Sequence, residues 1–193
     1  MPYQRNRNCD EIFIGQETQL TTVYCMVMSL PKILIMFYSK SGNTEEMAHM
    51  IAEGAMQVGG VDVIVKSVLD TEIEELLQLD GVIIGSPTYY GAMCAEIKEF
   101  IDKSVKLHGQ LEDKVGGAFS SSAQVGGGNE TTIMSILKAL MIHGMIVQGS
   151  SSGDHYGPVS IGKPDQRSRK LCVEYGRRIS RLVMIVSRAK SSI

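Results

Sequence analysis

This 193-residue sequence contains no tryptophan and has few prolines and aromatic residues. It has five prolines, and aromatic residues make up 6% of the chain. Its four cysteines lie far apart, form no C-x-x-C pair and accompany no histidine cluster, which argues against a zinc site and a disulfide framework. We therefore expect a protein of a reducing compartment, the cytoplasm. The net charge of −2 does not indicate the excess of basic residues that is typical of nucleic-acid-binding proteins. No apolar run reaches the roughly 18 residues that span a bilayer.

Glycine is in excess, with 20 residues, and 44% of the chain is hydrophobic. A chain of this size can bury roughly 70% of the surface that its unfolded form exposes, so a single globular domain needs no disulfide bond or metal ion to be stable. The first 27 residues show no sustained periodicity. We expect residues 1–27 to be an extension, with Met28 as the natural start, and residues 28–193 to form one domain.

From Lys32 onward, short β-branched apolar runs alternate with segments of helical periodicity. The predicted strands are Ile33–Tyr38, Val61–Lys66, Val82–Gly85, Lys114–Phe119 and Met145–Val147. The predicted helices are Thr44–Val58, Thr71–Leu79 with Asp70 as N-cap, Ala92–Lys103, Thr131–His143 and Asp165–Val186. Because parallel strands need right-handed crossovers, this alternation favours an α/β fold with a doubly wound parallel sheet and helices on both faces.

Ligands of such sheets bind beyond the carboxyl ends of the strands, so the loops after strands one, three and four are the candidates. The first loop, from Ser39 to Thr44, is rich in hydroxyls and opens directly into a helix, which is typical of a phosphate site. A plain helix cap is the alternative, although one cap needs only one hydroxyl. Neither G-x-G-x-x-G nor a P-loop string is present. Gly85-Ser86-Pro87 ends the third strand without the carboxylate that a phosphorelay receiver needs.

The other two loops suit the body of a planar ligand. Pro87 to Gly91 places two tyrosines between a proline and a glycine, and their rings can cover a flat ring, although simple edge packing is the alternative. Ser120 to Glu130 contains three consecutive glycines, which let backbone amides approach a ligand. A flexible linker is the alternative there, and it is disfavoured inside an alternating strand and helix unit. Asn129 is the expected N-cap of the next helix.

Four strings carry a resemblance to a known family: FYSKSGNTEEMA, GSPTYYGAM, FSSSAQVGGGNETT and ALMIHGMIVQG. Together they resemble the flavodoxin-like FMN-binding family, most closely the WrbA type of NAD(P)H:quinone oxidoreductase, over about Lys32 to Leu182. The resemblance implies a flavodoxin-like five-stranded parallel sheet of order 2-1-3-4-5.

The resemblance also implies where FMN binds: its phosphate at the first loop, and its ring between the other two loops. His143 matches a family position that approaches the flavin from a neighbouring subunit, and a histidine favoured by the helix C-terminus is the alternative. The residues assigned to the cofactor in this way are Ser39, Lys40, Ser41, Gly42, Asn43, Thr44, Pro87, Thr88, Tyr89, Tyr90, Gly91, Ser121, Ser122, Ala123, Gln124, Gly126, Gly127, Gly128 and His143.

The implied activity is that of an FMN-dependent oxidoreductase that passes electrons from NAD(P)H to a quinone-like acceptor, in a homo-oligomer that is a dimer or tetramer. No catalytic side chain, metal, nucleic acid or membrane span is predicted. A flavodoxin-type electron shuttle is the alternative, but such shuttles are expected to be strongly acidic. An FMN-binding sensor module is a further alternative. The chain departs from the family at Ser41, where tyrosine is common, and at Leu107-His108, near the place of the family's entrance tryptophan.

Overall fold

A computed structural model describes residues 30–192, so the predicted boundary after residue 27 lies outside the described residues. Six strands are found there: β1 Lys32–Phe37, β2 Asp62–Ser67, β3 Gly81–Pro87, β4 Val115–Ser122, β5 Ile146–Val147 and β6 Val159–Ile161. The α-helices are α1 Asn43–Met56, α2 Ala95–Lys103, α3 Asn129–Ile142 and α4 Gln166–Lys190. Short 3₁₀ helices span Val68–Asp70, Ile73–Gln78 and Ser104–Leu107.

The strands form one parallel sheet in the order β2-β1-β3-β4-β5, which confirms the predicted fold and strand order. The register pairs Phe37 of β1 with Gly85 of β3, and Pro87 of β3 with Ser121 of β4. The carboxyl ends of β1, β3 and β4 therefore lie side by side. The three loops that follow them leave the sheet at one edge.

Strand β6 was not predicted. It pairs with the carboxyl end of β4, whereas β5 pairs with the amino end, at Val115 and Gly116. The edge next to β4 is thus formed by two short strands separated by an excursion over residues 148–158. A three-residue strand between Pro158 and Gly162 is too short to show a period of two, which is why the sequence pattern missed it.

Alternate residues of the central strands pack into two cores, one on each face of the sheet. In β1, Leu34 and Met36 face the core under α2 and α3, while Ile33 and Ile35 face the core under α1 and α4. All four side chains are buried. A strand covered on both faces reads as a continuous apolar run, and this is the physical basis of the strand predictions.

Helices α1 and α4 cross at two glycines. A Cβ atom placed on Gly54 would lie 2.0 Å from the carbonyl oxygen of Val173, and one on Gly176 would lie 2.0 Å from the carbonyl oxygen of Ile51. Since both neighbours are backbone atoms, they cannot rotate away. The two helices can approach this closely only because neither position carries a side chain.

Several predicted element bounds differ from the structure: α2 begins at Ala95 and not at Ala92, and α4 continues to Lys190, beyond the predicted end at Val186. The predicted helix Thr71–Leu79 is a 3₁₀ helix, and Glu72, not Asp70, is its N-cap, in a capping box with Glu75. Strand β4 continues past Phe119 to Ser122 because β3 pairs with Ser120 and Ser121 on one side and β6 pairs with the last three residues on the other. Within residues 30–192, no helix is both long enough and apolar enough to cross a bilayer.

Candidate functional site

The first predicted loop is linked to strand β4 through a buried hydrogen bond. The side-chain oxygens of Thr44 and Ser121 lie 2.9 Å apart, and both residues are buried. Ser121 is therefore a strand residue that faces the start of α1, not a loop residue. The bond fixes the first turn of α1 against the carboxyl end of β4.

The loops after β3 and β4 are linked in the same way. Thr88 hydrogen-bonds through its hydroxyl with Ser120 at 2.9 Å and accepts a bond from Thr132 at 3.0 Å. The hydroxyl of Thr131 donates to the carbonyl oxygen of Gly91 at 2.6 Å. The structure thus brings the three predicted loops together and holds them with side-chain bonds.

The first loop leaves several backbone donors free at the N-terminus of α1. Gly42 is the N-cap, with a φ of +87°, and no side chain caps the helix. The first helical hydrogen bond runs from the amide of Glu46 to the carbonyl oxygen of Gly42 at 2.9 Å. The amides of the three preceding residues therefore have no intrahelical acceptor, and together with the helix dipole they favour an anion. The plain-cap alternative is not what the structure has here, because the cap is a glycine.

The two tyrosines of the second loop form a tight turn. The amide and carbonyl groups of Tyr89 and Ala92 are hydrogen-bonded to each other at 3.1 Å, and Tyr90 and Gly91 between them have φ values of +53° and +76°. Positive φ at both central residues defines a type I′ turn. Tyr90 is fully exposed and Tyr89 is 42% exposed. Packing within the domain therefore does not explain why position 90 has an aromatic side chain.

The third loop approaches the second at two glycines. Gly128 has a φ of +99°, and a Cβ atom there would lie 2.7 Å from the Cα atom of Gly91. Gly128, not Asn129, is the N-cap of α3, again without a side-chain cap. The predicted N-cap was wrong because the buried side chain of Asn129 donates to the carbonyl oxygen of Ser160 in the unpredicted β6, at 3.2 Å.

The remaining residues of this loop surround the same edge. Ser122 is buried, and its hydroxyl donates to the carbonyl oxygen of Gln124 at 2.8 Å. Ala123, Gln124, Gly126 and Gly127 are exposed, as are Lys40 and Ser41 on the first loop. The edge therefore combines buried hydroxyls at its floor with exposed backbone around it.

The sequence reasoning missed a carboxylate at this edge. Glu96 lies in the first turn of α2. Burial tends to raise the pKa of Glu96, but bonds from its own backbone amide, from Tyr38 and from Cys94 outweigh burial and lower this pKa. Its hydrogen bond raises the pKa of Tyr38. The sequence could have indicated Glu96, because it is an acidic residue in the first turn of the helix that follows the loop with Tyr89 and Tyr90.

The structure does not bring His143 to the three loops. His143 lies beside the amino end of β4, where the neighbouring carbonyl of Gly144 accepts from the amide of Asp113 at 3.1 Å. Its ring nitrogen Nε2 is 2.8 Å from the hydroxyl of Ser104, and its ring centre is 6.2 Å from that of His108. Burial, and next the charge of His108, lower the pKa of His143. Any contact with a ligand at the loops has to come from another subunit.

The parallel sheet of this order and its three linked loops define a flavodoxin-like α/β protein. Residues 31–156 match the family model described as NADPH-dependent FMN reductase. This match covers more than half of the chain, and the chain belongs to that family.

Two curated relatives illustrate the range of the family. The chain is 38% identical over 162 residues to a flavodoxin of Aquifex aeolicus, covering 80% of this chain and 88% of the relative. It is 34% identical over 185 residues to an NAD(P)H dehydrogenase (quinone) of Archaeoglobus fulgidus, covering 78% and 96%. Both a flavodoxin and an NAD(P)H dehydrogenase (quinone) thus occur among its relatives.

Solved structures show the same fold. A WrbA-like flavodoxin from Agrobacterium tumefaciens aligns with a TM-score of 0.69 at 25% identity, covering 80% of this chain and 98% of that one. A flavodoxin from the domain Archaea aligns with a TM-score of 0.67 at 27% identity, covering 79% and 99%. The predicted resemblance to the WrbA-type flavodoxin-like proteins is confirmed.

Proposed function

We propose that this protein binds FMN at the linked loops and passes electrons from NAD(P)H to a quinone-like acceptor. The observation that carries the proposal is the joining of three loops from non-adjacent parts of the chain at one sheet edge, with two glycine-capped helix N-termini between them. The name of the Archaeoglobus fulgidus relative supports the donor and the acceptor class.

The residues at this edge fit the phosphate of FMN. The free amides at the start of α1 suit phosphate oxygens, and so do the hydroxyls of Ser39, Ser41 and Thr44. Lys40 adds a positive charge at the tip of the loop. A Cβ atom on Gly42 would meet nothing within 4 Å, so space for a ligand exists beside this residue.

The other two loops fit the flat ring. Pro87, Thr88, Tyr89, Tyr90 and Gly91 would line one side of it. The residues proposed for the other side are Ser121, Ser122, Ala123, Gln124, Gly126, Gly127 and Gly128. When bound, FMN supplies the hydride and electron-transfer chemistry. The chain's part is to hold the ring by backbone and side-chain hydrogen bonds and to leave part of the ring accessible to the donor and the acceptor.

A flavodoxin-type shuttle without substrate turnover is the second candidate, and the flavodoxin among the relatives favours it. The two candidates share the cofactor site and differ in whether NAD(P)H reduces the flavin. The net charge of −2 fits the enzyme better, since a shuttle of that class is expected to be strongly acidic overall.

Reconstitution with FMN followed by turnover assays separates the two candidates. We expect oxidation of NADH or NADPH that depends on added benzoquinone and on bound FMN. Omission of FMN is the control. Tight FMN binding without oxidation of either donor would refute the enzyme and favour the shuttle, and failure to retain FMN would refute the proposed site as well.

We also propose that the protein is a cytoplasmic homo-oligomer in which His143 approaches the flavin of a neighbouring subunit. Sedimentation of the FMN-loaded protein measures the oligomeric state. If the flavin absorbance of a His143→Gln variant equals that of the parent in a proven oligomer, His143 does not contact the cofactor.

A further inference from the structure

The net charge of −2 conceals a strong division of charge along the chain. Helix α4 contains eight of the 19 lysines and arginines but only one acidic residue, Glu174. The helix therefore carries +7 and the rest of the chain −9. The proposed FMN site, on the three loops, does not use this positive charge.

The basic side chains in the first part of the helix, from Arg167 to Arg177, have local partners. Arg167 pairs with Asp154, and Arg169 pairs with Glu53 at 2.6 Å. Arg177 donates through Nε to the side-chain oxygen of Gln57 at 2.8 Å. Within residues 30–192, Arg178 and Arg181 form no ion pair shorter than 4.0 Å.

These two arginines line a groove of about 440 Å³ between α4 and Gln148, which we call the α4 groove. Leu182 and Ile185 line the same groove, and Ile185 is 65% exposed. Arg177 and Glu174 complete the lining, so the α4 groove combines three guanidinium groups and one carboxylate with apolar side chains. Its volume lies within the range of small-molecule sites.

Arg178 is held in place with an unsatisfied donor. Its guanidinium lies over the ring of Tyr175, 5.1 Å from the ring centre, and Tyr175 is itself buried. Its Nε atom is buried and has no hydrogen-bond partner among the described residues. A buried donor without an acceptor is costly, and no partner within the described residues offsets that cost. The planar fork of a guanidinium is suited to phosphate oxygens.

We propose that the α4 groove binds a phosphate group that carries an apolar portion. Arg178 and Arg181 donate to the phosphate oxygens, and Leu182 and Ile185 contact the apolar portion. A soluble phosphate ester and an anionic phospholipid both have this chemistry. The groove shares no residue with the three loops, so this inference does not depend on the proposed function.

The test uses the full chain with saturating FMN, so that the first loop does not compete. The probes are inorganic phosphate, adenosine 5′-monophosphate by calorimetry, and sedimentation with phosphatidylcholine vesicles with or without phosphatidylglycerol. We expect binding of the monophosphate or of the phosphatidylglycerol vesicles, and weakening of that binding as salt rises. Monophosphate binding indicates a soluble ligand, whereas vesicle binding alone indicates a lipid.

The variant Arg178→Gln/Arg181→Gln should bind at least about tenfold more weakly. The matched control Lys138→Gln/Lys163→Gln removes two exposed charges outside the groove and should change binding less than about twofold. Ile185→Ser should weaken binding while keeping both arginines. The proposal is overturned if no probe binds, if inorganic phosphate binds as tightly as the larger probes, or if the control loses as much as the arginine variant. FMN titration of the same variants reports separately on the cofactor site.

Discussion

Two glycines in the loop after β4 provide a matched pair for testing how the site is held. Gly126 and Gly128 both have positive φ, +70° and +99°. A Cβ atom on Gly126 would meet nothing within 4 Å, whereas one on Gly128 would lie 2.7 Å from the Cα atom of Gly91. Gly126→Ala therefore adds backbone strain alone, and Gly128→Ala adds strain and a collision with another loop.

The strain of an alanine in the left-handed region costs about 1 kcal/mol. The Gly128 contact is about 0.7 Å closer than an ordinary 3.4 Å contact, and Gly91 cannot move freely because Thr131 holds its carbonyl oxygen. Overpacking of this kind adds about 1–3 kcal/mol. We expect Gly126→Ala to lower the free energy of unfolding by about 1 kcal/mol and Gly128→Ala by about 2–4 kcal/mol.

Thermal unfolding of the FMN-free protein measures these losses as shifts in Tm of roughly 2–4 °C and roughly 4–16 °C. Fluorescence titration measures FMN affinity, which we expect to fall more than about tenfold for Gly128→Ala and less than about fivefold for Gly126→Ala. Equal effects of the two variants in both assays would refute the reasoning that the contact of Gly128 with Gly91 holds the site together.

Three further outcomes are expected. Thr44→Val leaves the buried hydroxyl of Ser121 without its partner and should lower the free energy of unfolding in urea by about 1–3 kcal/mol. Thr44→Ser keeps the hydroxyl, so an equal loss of stability in this variant would contradict the role of the hydrogen bond. Gly176→Ala should lower Tm, because the added Cβ atom would lie 2.0 Å from the backbone oxygen of Ile51. This collision should outweigh the helix propensity of alanine, which favours the substitution by about 1 kcal/mol. A raised Tm would show that the helices separate easily. The pKa of His143 is lower in the folded chain than in the unfolded chain. As pH drops through the ordinary histidine pKa, the unfolded chain therefore binds more protons than the folded chain, and the free energy of unfolding should fall. His143→Gln should reduce this dependence in Tm measurements between about pH 7.5 and about pH 5.5, and an unchanged slope would assign the effect to other groups.

Much of the candidate site could be predicted because its signals are local. The helix predicted from Thr44 and the glycines at 126–128 are visible in the sequence, and Gly42, Gly126 and Gly128 have the positive φ that glycine adopts most readily. The side-chain bonds between loops could not be predicted. Thr44 and Ser121 are 77 residues apart, and nothing in either segment indicates that their hydroxyls meet.

Long-range pairing also explains the errors. Asn129 bonds to Ser160 of β6 and the end of β4 pairs with both β3 and β6, whereas β6 is too short to show a period of its own. The charge on α4 was visible in the sequence as arginines, but the groove was not. Tertiary packing places Gln148 opposite Arg178 and stacks Arg178 on Tyr175.

The sequence by itself determined the alternation of strands and helices, the parallel sheet and the loops that follow β1, β3 and β4, because apolar periodicity and glycine placement are properties of neighbouring residues. Only the tertiary structure decided that the loops are joined by hydroxyl pairs and that His143 lies at the amino end of β4, away from the loops. It also decided that the edge beside β4 is split between β5 and β6. These features depend on distances between residues far apart in the chain, which packing of the two cores sets.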